Sequence, residues 1–195
     1  MWDDRLERQI RFIAELDRLK HVLRRTPLTD GSRRENSAEH SWHVAAMAPL
    51  VAEYCRAPVD LSRVVLMLLV HDVVEIDAGD TFCYDADARL DEAERERRAA
   101  DRLFALLPDD QCAELLSLWE EFSAAETHES RFAHAVDRLQ PLIQNLYSGG
   151  GSWRTHRVTR DQVLARMQPI RSSTPELWPF VEHVVAEGVA RGFLL

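Results

Sequence analysis

The chain has 195 residues, 46% of them hydrophobic and 29% charged, which is the composition of an ordinary globular protein. Its 33 acidic residues outnumber its 24 basic residues and give a net charge of −9, which argues against a protein that binds nucleic-acid polymers. The longest apolar runs, 44–52 and 64–70, are far shorter than the roughly 20 residues that span a bilayer, so no membrane association is expected.

The predicted elements are helices. Only 7 glycines occur in the chain, and no stretch alternates between apolar and polar residues as a half-buried strand does. An amphipathic helix is predicted over 3–24, followed by a polar loop over 26–36. Asn36 followed by Glu39 is typical of a helix start, and apolar residues then continue to Tyr54, with a kink or break expected at Pro49.

A central helix is predicted next. Pro58 and Asp60 start it, and its middle, 64–70, is apolar on every side, which indicates a helix without a solvent-exposed face. Further helices are predicted over 88–107, 110–123 and 126–146, then from Thr159 and from Thr174. The run 149–151, all glycine, predicts a flexible connection. The expected fold is a single all-α domain over 1–195 with seven or eight helices.

Ionisable residues interrupt the apolar pattern at the end of the central helix. His71 and Asp72 follow the apolar run directly, and Glu75 lies one helical turn further on. Burying such groups is costly unless they are paired or bind a metal. His40, near the start of a predicted helix, and Asp137, inside a helix rich in apolar positions, could complete a mixed nitrogen and oxygen site for a divalent transition metal. From spacing alone, a helix end that has simply reached the surface stays an open alternative.

Together these residues resemble the H…HD…D pattern of the HD-domain metal-dependent phosphohydrolases. The segments that carry the resemblance are RENSAEHS at 34–41, HDVVEIDAGD at 71–80 and AVDRL at 135–139. The similarity covers about residues 10–145 and is greatest to the branch of the bacterial 5′-deoxynucleotidases and their eukaryotic HD-domain relatives. It implies an HD-domain helical bundle, with the helices of 159–191 packed on it.

The resemblance also implies a role for each matching residue. One divalent metal ion, manganese, cobalt or magnesium, is expected at His40, His71, Asp72 and Asp137. Glu75 is expected to position or deprotonate the attacking water or to protonate the leaving oxygen, and Asp80 to support that water or contact the substrate. Substrate contacts are expected from Arg24, Asp72, Asp80, Thr81, Phe82 and Cys83.

The implied activity is that of a phosphoric monoester hydrolase, which removes phosphate from (deoxy)nucleoside 5′-monophosphates with metal-activated water. Arg25 departs from the related deoxynucleotidases, which carry tryptophan there, and TFCYD at 81–85 replaces a proline-bearing turn. Hydrolysis of a nucleoside triphosphate or of another phosphorylated metabolite is therefore an alternative. A catalytically silent sensor that binds metal or nucleotide is a further one, although Glu75 and Asp80 argue against it.

Other features have simpler interpretations. His43 is expected to support the site or to pack, with a second ligand as the alternative, and His134 is expected on the helix surface or in support of a ligand. Trp42 and Trp119 are expected in the core. The apolar C-terminal residues 181–195, together with the related proteins, predict a symmetric homodimer. The charged N-terminus has no signal-peptide core, and three scattered cysteines are typical of a reducing compartment, so a cytoplasmic protein is expected.

Overall fold

The structure is a computed structural model that describes residues 3–195. These residues form eleven α-helices and one two-stranded sheet. The helices are α1 (Asp4–Leu16), α2 (Ser37–Val51), α3 (Leu61–Val70), α4 (Glu75–Ala78), α5 (Glu92–Phe104), α6 (Asp109–Ala124), α7 (His128–Tyr147), α8 (Gly151–Thr155), α9 (Arg160–Arg166), α10 (Gln168–Ser173) and α11 (Trp178–Ala190). The predicted all-α fold class is confirmed. The helices outnumber the predicted seven or eight because α4, α8 and α10 have only 4, 5 and 6 residues.

The beginning of the chain differs from the prediction. α1 ends at Leu16, a 3₁₀ turn covers 17–21, and a strand, β1 (Leu23–Pro27), follows. β1 pairs antiparallel with β2 (Arg34–Asn36), so most of the predicted loop is a hairpin. Strands of 5 and 3 residues are too short to show a clear alternation in the sequence.

Helix capping was predicted correctly at α2. The Asn36 side chain accepts a hydrogen bond from the Glu39 amide at 2.9 Å, and the Glu39 carboxylate accepts one from the Asn36 amide at 3.2 Å. Pro49 lies inside this helix, which ends at Val51. The cap fixes the direction in which α2 enters the core and carries His40 to the site.

The prediction that α3 has no solvent-exposed face is wrong. Leu66 and Leu69 are 36% and 43% exposed, because α2, α6 and α7 pack against the other sides of α3. The prediction that Trp42 lies in the core is also wrong, since its side chain is 66% exposed on α2. Trp119 is buried as expected.

α7 is the helix around which the core is built. It packs against α2, α3 and α6 and also against α8, α10 and α11. Phe132 and Val136 join a hydrophobic cluster with α2 and α3, while Leu139 and Leu142 join a second cluster with the C-terminal helices. A third cluster connects α1, α5 and α6. No helix within residues 3–195 is long and apolar enough to cross a membrane.

The apolar C-terminal residues belong to this core. Val181, Val184 and Val185 of α11 are buried, as are Phe193 and Leu194 beyond it. These side chains pack against α7 and its neighbours. Most of this apolar segment is therefore covered within the chain, while Val189 and Leu195 remain 42% and 62% exposed.

The glycine run forms a tight turn instead of the expected flexible connection. Gly150 and Gly151 have φ angles of 96° and 33°, a backbone region that side chains rarely adopt. A Cβ atom at Gly150 would lie 2.6 Å from Arg154 Cγ, and one at Gly151 would lie 2.8 Å from Asn145 Oδ1. The turn joins α7 to α8 and has no room for a side chain at Gly150 or Gly151.

Candidate active site

The four predicted metal ligands meet where α2, α3 and α7 pack together. His40 lies on α2, His71 and Asp72 directly follow α3, and Asp137 lies on α7. Ligand atoms of His40, His71 and Asp72 lie within 4.8 Å of one another. Asp137 Oδ1 lies 2.9 Å from His40 Nε2 and 3.8 Å from His71 Nε2. The structure thus brings all four residues together.

A hydrogen bond to the backbone orients His71. Its Nδ1 lies 2.8 Å from the carbonyl oxygen of Leu68 and donates to it, which turns Nε2 toward the cluster. This Nε2 is buried and has no hydrogen-bond partner among residues 3–195. A buried imidazole nitrogen that faces carboxylates without a partner fits a metal cation, and the donor set suits a divalent ion.

Three buried polar residues orient His40 in the same way. Glu35 accepts hydrogen bonds from Nε2 of Gln140 at 2.6 Å and of Gln144 at 2.7 Å. Because the Gln140 amide nitrogen is turned toward Glu35, its Oε1 faces Nδ1 of His40 at 3.1 Å. His40 therefore donates through Nδ1 and directs Nε2 into the cluster. His43 lies 3.2 Å from the same Gln140 nitrogen and belongs to this support, as predicted.

His40 and Asp137 lie at ion-pair distance, with 2.9 Å between Nε2 and Oδ1. Burial and the charge of Arg24 lower the pKa of His40, but hydrogen bonds to Asp137 and Glu35 outweigh them and raise it to about 9. Burial opposes ionisation of Asp137, yet the hydrogen bond from His40 holds its pKa well below the ordinary value. A divalent cation would compete with the proton on His40, because a metal-ligating imidazole is neutral.

Glu75 and Asp80, the expected catalytic carboxylates, lie beside the cluster. The chain turns over 71–74, so Glu75 begins the short helix α4 instead of continuing α3. Its Oε2 accepts a hydrogen bond from Ser37 Oγ at 2.5 Å. Burial and the charge of Asp72 raise the pKa of Glu75 well above its ordinary value, and burial also raises that of Asp80. Carboxyl groups that hold a proton more readily than usual are suited to proton transfer.

Carboxylates surround Arg24. Its Nη1 donates to Asp72 Oδ2 at 2.8 Å and lies 3.7 Å from Asp80 Oδ1, while its Nε lies 3.6 Å from Glu35 Oε2. Burial opposes the charged form, but the carboxylates of Asp72, Glu75 and Asp80 raise the pKa of Arg24. Its positive charge is therefore largely balanced within the site.

A cavity of about 400 Å³ opens beside these groups. The six residues predicted to contact substrate all line it: Arg24, Asp72, Asp80, Thr81, Phe82 and Cys83. Arg95 donates to Thr81 Oγ1 at 3.0 Å, and Phe82 packs against Tyr84 and His156. The turn after Asp80 is thus fixed as a wall of the cavity. His134 also lines it, with Nε2 2.8 Å from the Phe122 carbonyl oxygen.

The cavity continues past the residues that the sequence indicated. α7 supplies one wall with residues at helical spacing: His134, Asp137, Arg138, Pro141, Leu142 and Asn145. Once Asp137 is assigned to the site, the helical period predicts that these residues share its face of α7. Trp153 and Arg166 come from α8 and α9, and Glu96 from α5, where burial raises its pKa to about 7. Their distance in the sequence from the H…HD…D residues does not predict that they line the cavity.

Comparisons with known proteins agree with this geometry. The family model described as HD domain matches residues 16–178. A human protein named 5′-deoxynucleotidase HDDC2 is 29% identical over 139 residues, which cover 69% of this chain and 67% of the human protein. A 5′-deoxynucleotidase of Erwinia tasmaniensis is 29% identical over 165 residues, covering 80% of this chain and 83% of that protein.

A solved structure is similar over nearly the whole chain. It is the crystal structure of a protein described as a predicted metal-dependent phosphohydrolase from Magnetospirillum magnetotacticum, with 52% sequence identity and a TM-score of 0.92. The match covers 98% of this chain and 99% of that one. The family model, the relatives and this structure confirm the resemblance found in the sequence: the chain belongs to the HD domain family of metal-dependent phosphohydrolases.

Proposed function

We propose that this chain removes phosphate from (deoxy)nucleoside 5′-monophosphates. The observation that carries the proposal is the buried His71 Nε2, which makes no hydrogen bond among the described residues and lies 3.1 Å from Asp72 Oδ1 and 3.8 Å from Asp137 Oδ1 beside the cavity. Relatives named 5′-deoxynucleotidases support the substrate class. Phosphate-ester hydrolysis is among the slowest uncatalysed reactions, so a site of this kind must stabilise its transition state strongly.

We propose His40, His71, Asp72 and Asp137 as the ligands of one divalent metal ion. Manganese, cobalt and magnesium are the candidates, and two imidazoles in the donor set favour the first two over magnesium. When bound, such an ion supplies Lewis acidity and lowers the pKa of water so that a nucleophile forms near neutral pH. The Glu35, Gln140 and Gln144 network keeps His40 oriented for this role.

Glu75 is the proposed proton-transfer group. The Ser37 hydroxyl orients its carboxyl, and its raised pKa allows it to exchange a proton with the attacking water or the leaving oxygen. Asp80 supports the same water or contacts the substrate, and Arg24 balances negative charge at this end of the cavity. Thr81, Phe82 and Cys83 are proposed to contact the nucleoside.

A substrate screen tests the activity. Protein reconstituted with manganese or cobalt is expected to hold about one metal ion per chain and to release phosphate from deoxynucleoside monophosphates. Phosphate release and metal content are measured with and without a chelator. If only nucleoside triphosphates are hydrolysed, the substrate is a triphosphate and the monophosphate assignment is wrong. Tight nucleotide binding without any turnover would instead indicate a sensor.

We also propose that the chain forms a symmetric homodimer. Five large apolar side chains on the adjacent helices α2 and α3 are exposed and support an interface there: Trp42, Leu50, Leu61, Leu66 and Leu69. Light scattering is expected to give twice the chain mass of 22.4 kDa. Leu69→Glu is expected to shift the mass toward the monomer, and Leu90→Glu, at a loop leucine that is 85% exposed, is expected to leave it unchanged. A monomer mass for the unmodified protein would contradict the proposal.

The remaining proposals concern organisation and compartment. We propose that 1–195 acts as one domain, because α7 lines the cavity together with α8 and α9 and packs on both halves of the core.

The three cysteines are free thiols, which supports a reducing compartment such as the cytoplasm.

A further inference from the structure

Two arginines in the cavity have no acidic partner. Five arginines line this space: Arg24, Arg25, Arg89, Arg138 and Arg166. Arg24 is balanced by carboxylates, Arg89 lies 3.3 Å from Glu92, and Arg25 is exposed. Arg138 and Arg166, the arginine pair, are half-buried, and neither forms an ion pair with a carboxylate in the part of the chain that the structure describes. Positive charge is thus available at this position.

The backbone at the end of α9 holds Arg138 in place. Its Nη1 donates to the carbonyl oxygen of Arg166 at 3.2 Å. Its Nε is buried and has no hydrogen-bond partner within the described residues. An arginine fork that is fixed on one side and has a free donor on the other is prepared to bind a phosphate oxygen.

Both arginine side chains line one partly buried cavity, and the Arg138 guanidinium reaches the backbone of Arg166. The repulsion of two like charges in a partly buried space is relieved when an anion lies between them. The arginine pair therefore has the charge, the free donor and the location of an anion site.

We propose that Arg138 and Arg166 bind a phosphate group of the substrate. This inference rests on the proposed function, because it places a phosphorylated ligand in the same cavity. The phosphate has two possible sources: the 5′-phosphate that is removed, or a second phosphate on the same nucleotide, as in a nucleoside 3′,5′-bisphosphate. Arg138 is adjacent in sequence to Asp137, one of the four proposed metal ligands, while Arg166 comes from α9. The pair therefore lies between the proposed metal ligands and the C-terminal helices.

Calorimetry with inorganic phosphate tests the site directly. Arg166→Ala in the metal-loaded protein is expected to raise the Kd for phosphate about 10- to 100-fold, the range for losing a charge-assisted hydrogen bond. Arg166→Lys keeps the charge and is expected to give a smaller rise. Arg160→Ala is the matched control, because Arg160 lies on the same helix, is exposed and does not line the cavity. Thermal melting checks that each variant is folded.

Kinetics then identify the source of the phosphate. If the pair binds the 5′-phosphate, Arg166→Ala raises KM equally for a monophosphate and a 3′,5′-bisphosphate. If it binds a second phosphate, KM rises only for the bisphosphate. An unchanged phosphate Kd together with an unchanged KM for both nucleotides overturns the proposal. Should the unmodified protein hydrolyse neither nucleotide, the proposed function fails, while the calorimetric comparison still decides whether the arginine pair binds phosphate.

Discussion

Replacing Glu75 by Gln is expected to lower kcat by roughly 10²- to 10⁴-fold while the protein keeps its metal ion. This corresponds to on the order of 3–5 kcal/mol of transition-state stabilisation. The amide has nearly the same shape and can still accept the hydrogen bond from Ser37, but it cannot exchange a proton. KM is expected to change little, because the loss falls on a step after substrate binding.

Steady-state kinetics and metal content measured on the same samples check this result. Glu94→Gln is a suitable control, since that carboxylate lies on α5 with 72% of its side chain exposed. If the Glu75→Gln protein lost its metal or kept near-normal turnover, Glu75 would not be the proton-transfer group. Asp80, whose pKa burial also raises, would then be the candidate.

Replacing Asp137 by Ala is expected to weaken metal binding strongly and to remove a pH dependence of the metal-free fold. The pKa of His40 rises from 6.5 to about 9 through its hydrogen bonds to Asp137 and Glu35. Because the folded chain binds the His40 proton more tightly than the unfolded chain, protonated His40 contributes to the free energy of unfolding. This contribution is fully present below pH 6.5 and is lost as the pH rises through 9. The loss amounts to about 3 kcal/mol at most. Without Asp137 the dependence is expected to become much flatter.

Denaturant unfolding in the presence of a chelator, at several pH values between 6 and 9, measures this effect. Metal affinity of the unmodified protein is expected to change in the opposite direction and to increase with pH, because the cation competes with the proton on His40. Asp161→Ala controls for the loss of a carboxylate, since its side chain is 87% exposed. Equal pH profiles for unmodified and Asp137→Ala protein would show that the ion pair does not contribute.

The sequence predicted the groups whose local context is unusual. His71 and Asp72 follow an apolar run, and Asp137 lies in an apolar helix, so the order of residues marked them as candidates for a shared site, with a surface helix end as the alternative. Helix starts with capping residues were equally readable, as at Asn36. These predictions depend on interactions between residues close in the chain, and the resemblance to the family joined them into one site.

What the sequence could not supply depends on distant packing. Arg166 reaches the cavity only because α9 folds back beside α7, and no spacing in the chain encodes that position. Leu69 and Trp42 are apolar residues whose exposure is decided by which faces of α2 and α3 other helices cover. Gln140 and Gln144 could have been identified from the sequence. They lie four residues apart on the predicted helix that carries Asp137, and buried glutamines on one helix face require a polar partner.

The glycine turn after α7 has a consequence for the size of molecule that the cavity admits. A side chain at Gly151 would collide with Asn145 on the cavity wall and, at 2.9 Å, with Pro27 of β1, the strand that carries Arg24. The turn therefore sets how closely β1 can approach the α7 wall of the cavity. A larger residue at Gly151 is expected to move β1 and Arg24 away from α7 and so to widen the cavity between them, although the glycines themselves do not line it.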